Sequence, residues 1–79
     1  MATIEYKGAE FEYDEHALEK WSFIRRMYKA GSDAERAIVA AENLLVDPDD
    51  AAERLDDSVE AMAGLISAIF AKMGDSEKN

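Results

Sequence analysis

The stretch Val59–Met73, VEAMAGLISAIFAKM, decides how this chain folds. At helical spacing Leu55, Val59, Met62, Ile66, Phe70 and Met73 share one face, and Leu65 and Ile69 widen it sideways. Ala61, Ala63, Gly64, Ser67, Ala68 and Ala71 fill what remains, which leaves Glu60 and Lys72 as the only charges. A helix that is apolar nearly all round has to be covered nearly all round. Two coverings are open. Either the rest of this chain wraps the helix, or part of its surface meets a second chain.

Working back from that helix, Asp47-Pro48-Asp49-Asp50 is the clearest boundary. Proline suits the first helical position and the acids complement the positive end of the helix dipole. A third helix is therefore expected from Pro48 towards Met73, closed by Gly74, with a polar tail at 75–79 expected to be disordered. Asp56-Asp57-Ser58 also makes a good cap, so the run is either one helix or two.

Further upstream, Ser32-Asp33-Ala34-Glu35 is a capping box. It opens a second helix whose apolar positions, Ala34, Ala37, Ile38, Ala41, Leu44 and Leu45, recur at spacings of three and four. Their small alanines would let a neighbouring helix approach closely. Before Gly31, a first helix is expected from Asp14 to about Lys29 or Ala30. Its apolar stripe is Leu18, Trp21, Ile24 and Tyr28, broadened by Phe23 and Met27.

The first thirteen residues follow a different period. Ala2, Ile4 and Tyr6 alternate with polar residues, then Ala9, Phe11 and Tyr13 do the same after Lys7-Gly8. A two-residue turn at Lys7-Gly8 sets Tyr6 opposite Ala9, Ile4 opposite Phe11 and Ala2 opposite Tyr13, so all six lie on one side. The same register places Glu5 against Glu10, a mildly unfavourable pair. A two-stranded ribbon is not stable alone in water, so its apolar face must rest on the helices. The expected fold is mainly α with a short N-terminal β-hairpin at 2–13, in one domain over 1–74. It is a three-helix bundle, or a four-helix one if the last run breaks.

Composition narrows the function. Seventy-nine residues without cysteine cannot use disulfides or thiolate metal sites, and so short a chain buries only roughly three fifths of its unfolded surface. Packing, self-association or a partner must supply the stability. No unbroken apolar run approaches the ~20 residues that cross a bilayer, and no basic, apolar leader opens the sequence, so a cytoplasmic location is expected. Eighteen acids against nine basic residues give a net charge of -9, which repels nucleic acid and anionic lipid. The one dense basic patch, Arg25, Arg26 and Lys29, reads as a solvated helix face.

Nothing points to catalysis. His16, the only histidine, sits at a helix start beside Asp14 and Glu15 with no nucleophile near it in sequence. The acids at 47, 49, 50, 53, 56 and 57 lack the glycine and closing glutamate of a calcium loop, and no glycine-rich phosphate loop exists. No enzyme activity, metal or cofactor is expected. Trp21 is a second-rank binding anchor, since a tryptophan in a helical stripe usually belongs to the core.

The strand-turn-strand opening Ile4-Glu5-Tyr6-Lys7-Gly8-Ala9-Glu10-Phe11-Glu12-Tyr13, the Trp21-Ser22-Phe23 helix, the Gly31-Ser32-Asp33 connection and the apolar helix after Asp47-Pro48 together resemble the small tail assembly chaperones of long-tailed bacteriophages. The resemblance implies a non-catalytic protein in a bacterial host cell that coats hydrophobic helices of a tape-measure protein before the tail tube polymerises. Some members of that family are extended by ribosomal frameshifting. On this reading Met62, Leu65, Ile69, Phe70 and Met73 form the protein-binding surface, with methionine suited to uneven partners. Two alternatives use the same composition: a homo-oligomeric structural or adaptor protein, and an acidic, anti-repressor-like regulator that binds a basic protein.

Overall fold

A computed structural model describes residues 2–77. Strands β1 (Ala2–Tyr6) and β2 (Ala9–Tyr13) form an antiparallel hairpin. A 3-10 turn at Ala17–Glu19 leads to α1 (Trp21–Lys29), α2 (Asp33–Leu44), α3 (Pro48–Arg54) and α4 (Val59–Glu77). The protein is thus mainly helical behind a short N-terminal hairpin.

The hairpin has the expected register: Ala2 opposite Tyr13, Ile4 opposite Phe11, Tyr6 opposite Ala9, and the two glutamates Glu5 and Glu10 facing each other. Lys7 (φ 50°) and Gly8 (φ 78°) are both left-handed, as a turn matched to strand twist requires. Ile4, Phe11 and Tyr13 are buried, so alternation does select one inner face. The hairpin is joined to the helices by main chain as well. The Asp14 N–H donates to the Leu44 carbonyl (2.7 Å) and the Val46 N–H to the Glu12 carbonyl (3.2 Å), so the α2–α3 connection extends the end of β2.

The first helix departs from expectation. Asp14 does not cap one long helix; its carboxylate accepts from the His16 N–H (2.9 Å) and from Lys20 Nζ (3.0 Å), which closes a local turn. Lys20 is extended, and the helix proper begins at Trp21. That break re-aims α1. Phe23 is wholly buried and Met27 half-buried, while Trp21, Ile24 and Tyr28, the stripe expected to face the core, lie on the outside. Both stripes are apolar, and periodicity alone does not say which one the fold covers.

The capping box forms at α2: Ser32 Oγ accepts from the Glu35 N–H, and the Glu35 carboxylate accepts from the Gly31 N–H, one residue before the serine. The last run is two helices. The Asp57 N–H reaches the Ala52 carbonyl (2.7 Å) and the Asp56 N–H the Glu53 carbonyl, a helix-ending motif with Asp56 and Asp57 at φ 59° and 56°. Ser58 Oγ then caps α4 through the Ala61 N–H (3.1 Å). Gly74 does not end this helix, which runs on to Glu77; the rest of the expected tail, 78–79, lies outside the described residues.

The core collects Phe11, Phe23, Leu44, Leu65, Ile66, Ile69 and Met73 with alanines from α2, α3 and α4. The hairpin covers α4. Tyr6 lies so close to Gly64 that a Cβ there would collide with its hydroxyl and stand 3.1 Å from Cζ. Lys72 Nζ donates to the Thr3 carbonyl (2.6 Å) and ties the far end of α4 to β1. No helix among the described residues is long and apolar enough to cross a membrane.

Candidate protein-docking surfaces

The residues singled out on the apolar helix do not form a surface. Leu65 and Ile69 are wholly buried and Met73 is buried with them, because β1 and α2 pack over α4. Phe70 is half-buried against the same core. Of the two coverings the sequence leaves open, the chain itself supplies the one over Leu65, Ile69 and Met73. Only Met62, half-buried, reaches a surface feature.

That feature is a groove of about 420 Å³ between α2, α3 and α4. Ala34, Ala37, Ile38 and Ala41 form one wall at spacings of three and four, which places them on one side of α2. Pro48 and Ala52 of α3, then Val59 and Met62 of α4, complete the apolar lining. The groove stays open because α3 is only seven residues long and turns back at Asp56-Asp57 before it can cover the outer stripe of α2. Ile38 is 60% exposed and Val59 76%. The charges lining it are Glu42, Asp49 and Asp57, all acidic, with no basic side chain among the lining residues.

The second surface lies on α1. Trp21 (78% exposed), Ile24 and Tyr28 (91%) stand at i, i+3 and i+7 and so form one stripe. The segment from Lys20 to Lys29, KWSFIRRMYK, holds four basic residues and no acid. Arg25, Arg26 and Lys29 are exposed beside the aromatics, so the strongest positive charge of an acidic protein coincides with its two most exposed aromatic side chains. Trp21 is therefore a surface residue, contrary to the core role such a residue usually takes. No family model, curated protein or solved structure matches the chain.

The titratable groups outside these two surfaces include one close pair. His16 Nδ1 lies 2.5 Å from Glu19 Oε2, and that carboxylate raises the imidazole pKa above its ordinary value. The pair is exposed at the start of the 3-10 turn. Among the described residues no three His, Asp or Glu side chains converge as metal ligands do.

The α2 wall was visible in the sequence as a run of small apolar positions, but as a seat for a neighbouring helix of the same chain. Its signal as a site was the excess of apolar positions over what three short helices and a hairpin could cover.

Proposed function

We propose that this chain is a non-catalytic protein-binding module whose groove between α2, α3 and α4 receives an amphipathic helix with basic flanks. The observation that carries the reading is the pairing of an apolar lining with an all-acidic set of charges around it. A helix laid into such a groove buries its apolar side on Ile38, Val59 and Met62, and its Lys or Arg residues meet Glu42, Asp49 and Asp57. In this reading the helices act as one bundle that holds the three walls in place. The tail-chaperone resemblance supplies a specific client, a hydrophobic helix of a tape-measure protein. The net charge of -9 would keep such complexes dispersed by mutual repulsion.

The test is a fluorescence anisotropy titration of a labelled basic amphipathic peptide with the full chain. Binding is expected to weaken as salt rises, because the charged contacts are exposed. It should be lost in Ile38→Asp while the circular dichroism spectrum is retained, since Ile38 is largely exposed. Equal binding by Ile38→Asp would remove the groove from consideration.

A further inference from the structure

The stripe on α1 and the groove on the opposite charge are complementary in length as well as in sign. Trp21 to Tyr28 is a span of seven residues, about 10 Å along a helix, and the α2 wall from Ala34 to Ala41 is the same. In one molecule they do not meet: no α1 residue lines the groove, and Trp21 and Tyr28 remain exposed. We propose that α1 of one copy docks into the groove of a second copy, so that the chain associates head to tail. This rests on the groove being a docking site, as read above, and adds its occupant when no client is present.

Charge selects this arrangement over the symmetric ones. Pairing α1 with α1 would press Arg25, Arg26 and Lys29 against their own equivalents, and pairing groove with groove would do the same to its acids. Head-to-tail docking puts the basic flank of one copy on the acidic rim of the next. It is a heterologous contact, so every assembly keeps one stripe and one groove free at its ends and growth does not stop at a dimer. Two aromatic anchors bury roughly 150–250 Å² each, which with the surface they cover totals about 800 Å². That is below the range of stable complexes, and the contact is a weak, reversible one. A client helix with basic flanks competes for the same groove and releases the neighbouring copy. Anionic lipid and nucleic acid suit the α1 stripe less well, because the whole molecule repels them.

Sedimentation velocity of the full chain over a concentration series tests the proposal, using two variants that each damage one surface. Trp21→Glu with Tyr28→Glu removes the stripe; Ile38→Glu with Val59→Glu removes the groove. All four side chains are more than half exposed, and circular dichroism verifies that both variants fold. The wild-type chain should grow beyond a dimer with concentration and dissociate in high salt. Each variant alone should stay monomeric, and an equimolar mixture should form a one-to-one complex, because it contains one intact stripe and one intact groove. Association by the groove variant alone would overturn the proposal in favour of α1 self-pairing. A mixture that stays monomeric, or a wild type that is monomeric throughout, would overturn it as well. Stripe-dependent binding to phosphatidylserine vesicles by a wild type that never self-associates would assign α1 to lipid instead. The basic peptide separates the two readings: if the stripe variant still binds it, the groove function stands even where self-docking fails.

Discussion

Helices α1 and α4 invert each other. α4 is apolar on almost every side and is covered by the hairpin and α2, while α1 carries three basic residues and leaves its largest apolar side chains in solvent. The more hydrophobic helix is the interior of the protein and the more charged one holds an exposed stripe. An apolar helix is a demand for cover, and the chain meets that demand first where the demand is greatest. What is left exposed is then the second-best apolar stripe, and in a chain this short it falls on an element held at the edge of the fold.

The largest effect should come from truncating the covered helix. Leu65→Ala removes a wholly buried side chain and should destabilise the chain by about 2–5 kcal/mol, a large part of the total for a domain of this size. Tyr28→Ala, on the exposed stripe, should shift stability by less than about 0.5 kcal/mol. Urea unfolding followed by circular dichroism measures both, and similar losses at the two sites would break the contrast between the helices.

How closely the hairpin seals α4 can be measured at Gly64. Alanine there gains about 1 kcal/mol of helix propensity but displaces the Tyr6 ring. With Tyr6 intact, Gly64→Ala should therefore be neutral or destabilising. In a Tyr6→Ala background the same change should stabilise by about 1 kcal/mol, a coupling that a double-mutant cycle reads directly. Additive effects would mean that β1 does not seal this part of α4.

The smallest change expected is at the hairpin turn. Lys7 adopts a left-handed conformation that asparagine tolerates better, so Lys7→Asn should raise the urea midpoint by the equivalent of about 0.5 kcal/mol. A lowered midpoint would mean that the lysine stabilises the turn by some other contact. The cation is near the Tyr6 ring, with Nζ 5.9 Å from its centroid, and that contact is the candidate.

Local chemistry was legible in the amino-acid order. Alternation at 2–13 with Lys7-Gly8 between the strands determined the hairpin and its register, because a slip of one residue would turn Ile4 and Phe11 outward. Ser32 and Pro48 marked helix starts because capping is settled within a few residues. The Asp56-Asp57 reversal was visible as an option, and it took the left-handed geometry of both residues to make it a break. Which apolar stripe faces inward could not be read in the same way. For Leu65 and Ile69 the sequence leaves two coverings open, this chain or a partner, and for Trp21 either core or a binding anchor, because hydrophobic periodicity reports that a face prefers cover and not what will cover it. The tertiary structure decided that through the extended Lys20, which re-aims α1, and through the seven-residue α3, which is too short to close over α2. Both are matters of where elements end up relative to one another, and burial depends on those distances in space.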